Sequence, residues 1–194
     1  MILSTRHDVP VISGLRYVPG YLDASAQQDL LAHIDSEPWR DVGSRRAQVY
    51  GYSYHHTKGG VYRIGELPPW VLTVAKGLEG AGVTPFLADQ LIANEYQPGQ
   101  GIFPHVDAPC FTDTIVSVSL GSTCVMEFTS HASERIDELL LEPGSVLVMS
   151  GEAREGWKHA IPARHADVWN GEERPRGRRV SLTFRKMLDE FASR

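Results

Sequence analysis

Apolar positions along this chain recur at helical spacing in its first half and alternate in short runs beyond residue 89. Over residues 25–35, Leu30, Leu31 and Ile34 share one helical face, Ser25-Ala-Gln-Gln28 has the form of a capping box, and Pro38 ends the segment. A second helix is predicted to start at Pro68-Pro69 and to carry Trp70, Val71, Val74 and Leu78 before Gly80 and Gly82. Residues 91–96, 114–120, 124–129, 139–141, 145–149 and 180–184 read as short strands separated by Gly, Pro or Asp turns. That spacing predicts a mainly β (α+β) sandwich or barrel with the N-terminal helices packed outside. Residues 164–178 are charged, contain Gly171, Pro175 and Gly177, and read as a mobile loop.

Between the two helices lies an aromatic and basic stretch. Tyr50, Tyr52 and Tyr54 alternate, so a single extended segment would bring them to one side. Taken alone, the stretch is equally a half-buried edge hairpin.

Composition narrows the class. With 194 residues and 42% hydrophobic content, the chain suffices for one compact domain, here residues 1–194, with a core of its own. No apolar run approaches the roughly 20 residues of a membrane span, and the N-terminus lacks the pattern of a secretory signal. A cytoplasmic protein without a membrane partner is expected. Cys110 and Cys124 do not form a closely spaced pair, which argues against a disulfide framework or a zinc ribbon. The net charge of −5 argues against sequence-independent binding of polyanions, although Arg40, Arg45, Arg46, Lys58 and Arg63 cluster against Asp41 alone.

The candidate chemistry begins at His105-Val-Asp107. On a strand, positions i and i+2 point the same way, so an imidazole and a carboxylate would converge. His159 follows a predicted strand and supplies a second imidazole. Two histidines and one carboxylate make the facial triad of non-haem iron(II) oxygenases, which leaves coordination positions open. By itself a His-x-Asp reads more readily as an exposed turn histidine beside a capping aspartate.

The C-terminal strand changes that balance. In Arg179-Val-Ser-Leu-Thr-Phe-Arg185, alternation puts Arg179, Ser181, Thr183 and Arg185 on one face and Val180, Leu182 and Phe184 on the other. Two arginines facing into a small barrel are costly unless an anion meets them, and a dicarboxylate fits two planar forks. Asn94-Glu-Tyr96 is a second i, i+2 pair whose amide and phenol can donate to carboxylate oxygens.

Taken together, Asn94-Glu-Tyr96, His105-Val-Asp107, His159 and Arg179 to Arg185 closely resemble, in order and spacing, the motifs of the AlkB family of iron(II)/2-oxoglutarate dioxygenases. The resemblance covers roughly residues 10–190. It is similar above all to members that modify wobble uridines of tRNA, through Tyr50-Gly-Tyr-Ser-Tyr54, residues 96–105 and residues 115–122, and to bacterial repair-type members. It implies a double-stranded β-helix (jelly roll) over about residues 89–188 with a nucleotide-recognition lid over about residues 44–66. It also implies Fe(II), 2-oxoglutarate and O₂ as cofactor and cosubstrates, with succinate and CO₂ released.

Carried over by position, the resemblance implies that His105, Asp107 and His159 bind iron. Arg179 and Tyr96 would hold the distal carboxylate of 2-oxoglutarate, and Arg185 and Asn94 would lie near its metal-chelating end, with Ser181 and Thr183 between. Arg46, Gln48, Tyr50, Tyr52 and Tyr54 would belong to the lid and Arg154 to the substrate pocket, with Lys58 and Arg63 near phosphates. Ser181 stands where the family usually has Asn, and Ala108-Pro109-Cys110 stands where DNA-repair members often have an acidic residue. The expected partner is an alkylated or modified single-stranded DNA, RNA or tRNA, and the expected state is a monomer. Two rivals are an oxygenase of the same fold acting on a protein side chain or small molecule, and a non-catalytic nucleic-acid-binding module. The complete triad and both arginines speak against the second. A zinc hydrolase built on the same three ligands is weakened by the arginine strand.

Overall fold

The computed structural model describes residues 9–55 and 60–192. The first half contains β1 (Leu15–Val18), α1 (Ala24–Ser36), β2 (Arg40–Asp41), β3 (Arg46–Tyr50), β4 (Tyr52–His55), β5 (Gly60–Arg63) and α2 (Pro69–Gly80). The strand-rich half follows with β6 (Gln90–Tyr96), β7 (Ile102–His105), β8 (Ile115–Gly121), β9 (Cys124–Ser130), β10 (Ile136–Leu141) and β11 (Val146–Met149). It closes with α3 (Glu152–Glu155), β12 (Trp157–Ile161), β13 (Ala166–Trp169), β14 (Glu172–Pro175), β15 (Arg179–Arg185) and α4 (Asp189–Ala192).

A seven-stranded sheet in the order β1-β11-β8-β15-β6-β3-β2 faces a four-stranded sheet in the order β10-β9-β12-β7, with antiparallel ladders throughout. This is the expected jelly roll. One core lies between α1, α2 and the larger sheet, where Ile34, Val71 and Leu78 meet Val118, Leu182 and Phe184. A second lies between the sheets, where Phe128, Leu141 and Trp157 meet Ile115, Leu147 and Met149. The larger sheet is thus covered on both sides, an arrangement that normally calls for continuous apolar strands. β6, β8 and β15 instead alternate, and their polar residues are buried nonetheless: Gln90, Asn94, Ser117, Ser119, Arg179, Ser181 and Arg185. Buried polar side chains on a covered face need something polar to meet, and between the sheets they meet a cavity.

Three local expectations are corrected. The first helix is capped by Asp23, whose Oδ1 accepts from Ala26 N at 2.8 Å, and not by a box built on Ser25 and Gln28. Residues 164–178 are an ordered hairpin. β13 and β14 join through Asn170 (φ 53°) and Gly171 (φ 79°), the two-residue turn that Asn-Gly favours. A buried Arg176–Asp167 ion pair at 2.6 Å secures it, and Val125 N donates to the same carboxylate at 3.0 Å. Finally, the tyrosines do not share a side. Gly51 has φ 80°, and a Cβ there would lie 1.9 Å from Asp89 O, so the chain turns at a point only glycine can occupy. Tyr50 packs edge-on against Trp70 on the helix side, while Tyr52 and Tyr54 pack toward the core between the sheets.

Candidate active site

The cavity between the sheets measures about 230 Å³, and all three expected metal ligands and all six expected cosubstrate residues line it. His105 closes β7 and is paired across the ladder with His159 on β12, which sets the two rings 4.3 Å apart. Asp107 lies two residues beyond the end of β7, in an irregular segment outside the ladder. The β7–β12 ladder slips between the His159 and Ile161 pairs, beside Phe103 and Pro104. Pro104 has no N–H to give a ladder and is tolerated because β7 is an edge strand.

The protonation states suit a divalent cation. His105 Nδ1 lies 2.8 Å from Phe103 O. A carbonyl only accepts, so Nδ1 donates there and Nε2 is the ring nitrogen left to turn toward a metal. Burial pushes His159 down to about 4, outweighing the pull of Asp107, and the imidazole is neutral near pH 7. For Asp107, burial raises the pKa, but Arg185, His159 and His105 together bring it below the ordinary value, so it stays ionised. Its Oδ1 is ion-paired to Arg185. Its Oδ2 is buried, without a hydrogen-bond partner among the described residues, and 3.7 Å from His159 Nε2. As they stand, no three His, Cys, Asp or Glu groups among the described residues close a coordination shell. The donor set itself, two imidazoles and an uncommitted carboxylate oxygen, fits Fe(II).

Beside it, Arg179 is 2% exposed. Nη2 donates to Ser119 Oγ at 3.0 Å, and the guanidinium stands 5.6 Å from the Tyr96 ring centroid. Nε and Nη1 are buried without a hydrogen-bond partner among the described residues. A buried cation in that condition awaits an anion. Arg185 donates to Gln90 Oε1 at 3.2 Å in addition to its pair with Asp107, and its Nε is likewise unpartnered. Across the β6–β15 ladder Tyr96 opposes Arg179 and Asn94 opposes Ser181, so the two i, i+2 motifs meet face to face.

The expected substrate contacts divide. Tyr54 lines the cavity. Arg46, Gln48 and Tyr50 point to the helix side of β3. Arg46 is bound to Glu95 and stands over Trp39, and Gln48 donates to Ile34 O and Glu37 O at the end of α1. Tyr50 donates to Gln48 at 2.9 Å. Tyr52 packs below the cavity without lining it. Arg154 is buried and donates to Ala108 O and Phe111 O, both at 3.1 Å, so it braces the loop after Asp107 instead of facing a ligand. Lys58 lies outside the described residues, and Arg63 pairs with Glu66. Arg45 and Val49 are the residues next to and on β3 that do face the cavity. Sequence reasoning missed Arg45, together with Ser117 and Ser119. The signal for the serines was present in the alternation Val116-Ser-Val-Ser-Leu120.

Residues 14–185 match the family profile described as the 2OG-Fe(II) oxygenase superfamily. The chain belongs to that superfamily. Its relatives place it with the AlkB-like members. An Arabidopsis thaliana protein described as an alkylated DNA repair protein ALKBH8 homolog is 36% identical over 94% of this chain and 60% of its own length. A Xenopus tropicalis tRNA (carboxymethyluridine(34)-5-O)-methyltransferase alkbh8 is 31% identical over 90% of this chain but 32% of its own length. The chain therefore spans less than two thirds of the length of each of these two relatives. Among solved structures, OsALKBH1 superposes with a TM-score of 0.72 over 89% of this chain and 96% of that one, at 17% identity, which establishes the shared fold. Residues 14–185 are thus an oxygenase domain of AlkB type, of a family of dioxygenases that use Fe(II), 2-oxoglutarate and O₂.

Proposed function

We propose that this dioxygenase oxidises an alkylated or otherwise modified base in single-stranded DNA, RNA or tRNA, releasing succinate and CO₂. In this reading His105, Asp107 and His159 hold the iron, which when bound supplies the oxidising chemistry toward a C–H bond. Arg179 and Tyr96 take the distal carboxylate of 2-oxoglutarate. Arg185 and Asn94 meet the end that chelates the metal, and Ser181 and Thr183 line the channel between. Ser181 offers a hydroxyl where an amide is usual, one contact fewer. The observation that carries the reading is the juxtaposition of Arg179, buried with two unpartnered nitrogens, and the His105–Asp107–His159 cluster in one cavity. Hydroxylation of an N-methyl group would release formaldehyde and restore the base.

The nucleic-acid part is supported by the relatives' names and by an aromatic and cationic rim. Tyr54, on the hairpin of β4 and β5, offers a ring for stacking, and Arg45 offers charge. The deciding experiment is a succinate-release screen with iron and ascorbate against alkylated DNA, alkylated RNA and total tRNA. Stimulation by one of the three is expected. Substrate-free succinate formation that none of the three stimulates would count against a nucleic-acid substrate and favour the rival class.

A further inference from the structure

Arg45 touches a residue of the cosubstrate channel. Its Nε–H donates to Asn94 Oδ1 at 2.8 Å, and its guanidinium stands 6.0 Å from the Tyr96 ring centroid. A guanidinium has donors and no acceptor. An amide that meets one must turn its oxygen toward it, whatever its orientation would otherwise be. The NH₂ group of Asn94 is thereby directed away from Arg45, and among the described residues no protein acceptor takes it. Asn94 lines the cavity and is 7% exposed, so that NH₂ has the cavity for its partner.

We infer that Arg45 is a positioning residue: it fixes the flip of the Asn94 amide so that the NH₂ group, not the carbonyl, faces the carboxylate of 2-oxoglutarate. One orientation gives a charge-assisted hydrogen bond, and the other sets a carbonyl oxygen against a carboxylate. Arg45 acts through Asn94 and needs no contact of its own with the cosubstrate. The inference rests on the proposed contact between Asn94 and 2-oxoglutarate.

The test is a calorimetric titration of 2-oxoglutarate into the Mn(II)-loaded protein without oxygen, so that nothing turns over, with melting temperatures to verify folding. Asn94→Ala should weaken binding about tenfold, as for loss of a hydrogen bond to a charged group. Arg45→Ala should weaken it about fivefold, the scale of freeing one side chain. In the Asn94→Ala background Arg45→Ala should add less than about twofold, because the amide it orients is gone. Arg45→Lys, whose tip is also donor-only, should recover at least half of the lost affinity. Equal effects of Arg45→Ala in both backgrounds would mean direct attraction by charge and overturn the inference, as would a lysine variant no better than alanine. Should Asn94→Ala bind 2-oxoglutarate like wild type, the cosubstrate reading of Asn94 falls and this inference with it. Weakening by Asn94→Ala but not by Arg45→Ala removes the inference alone.

Discussion

Arg185 and Asp107 form an ion pair inside the cavity, with side chains only 10% and 3% exposed. One guanidinium thus borders both the carboxylate assigned to the metal and the channel assigned to 2-oxoglutarate, so charge at one position is felt at the other.

Removing Arg185 leaves a buried carboxylate without its countercharge. Breaking such a pair costs on the order of 3–5 kcal/mol, and a divalent cation replaces the lost partner. Arg185→Gln is therefore expected to lower the melting temperature of the metal-free protein, and Mn(II) should raise it more in the variant than in wild type. Equal metal-induced shifts in calorimetric scans would show that the pair does not hold Asp107.

Arg179→Ala should raise the 2-oxoglutarate requirement sharply. Loss of a desolvated arginine–carboxylate pair is expected to cost about 2–5 kcal/mol. Arg179→Lys should not restore it, because a point charge lacks the planar fork. The readout is succinate formation against 2-oxoglutarate concentration, and an unchanged half-saturation value in Arg179→Ala would remove the assignment. His105→Ala, in the same assay, should abolish even substrate-free succinate formation.

Arg154 acts on the loop that follows Asp107. Arg154→Met removes its hydrogen bonds to Ala108 O and Phe111 O. A buried carbonyl left unsatisfied, as at Phe111, costs about 1–3 kcal/mol, and the part-buried one at Ala108 less. The variant should lose thermal stability and Mn(II) affinity together, while the substrate KM at saturating metal stays near wild type. A change confined to substrate KM would return Arg154 to the substrate pocket.

Glu95 ties the cavity wall to the outside through Arg46 and Arg178, and Arg178 continues to Asp35. Burial raises the Glu95 pKa, but the two guanidiniums outweigh it and hold the group below its ordinary 4.5. A folded-state value below the unfolded one stabilises the protein above about pH 4.5, and that contribution is lost as pH falls through the folded value. Wild type should therefore exceed Glu95→Gln in stability at neutral pH by more than it does in acid. Urea unfolding at several pH values below 5 reads the difference; a constant gap would exclude Glu95 as the titrating group.

Much of the site could be read before any fold was known, because strand alternation is local. The two faces of β15 follow from its order of residues, and so do the pairs at Asn94/Tyr96 and in β8. The phase of β3 did not follow. Arg46, Gln48 and Tyr50 share a face, as alternation requires, but nothing in the sequence says that this face belongs to α1 and α2 and that Arg45 and Val49 look into the cavity. Nor did the tyrosine pattern reveal that Gly51 turns the chain between Tyr50 and Tyr52. The hairpin at 170–171 was legible in its Asn-Gly pair and was obscured by the surrounding charge, which is matched by the buried Arg176–Asp167 bridge.

The sequence alone determined which side chains are candidates for the chemistry and which neighbours share a strand face, since both depend on residue type and a two-residue period. Tertiary structure decided which face meets which layer, that His159 comes opposite His105, and that Arg45 and Arg154 hydrogen-bond to Asn94 and to the carbonyls of Ala108 and Phe111. Those relationships join residues about 50 positions apart. Packing of two sheets and two helices sets them, and no local period encodes that packing.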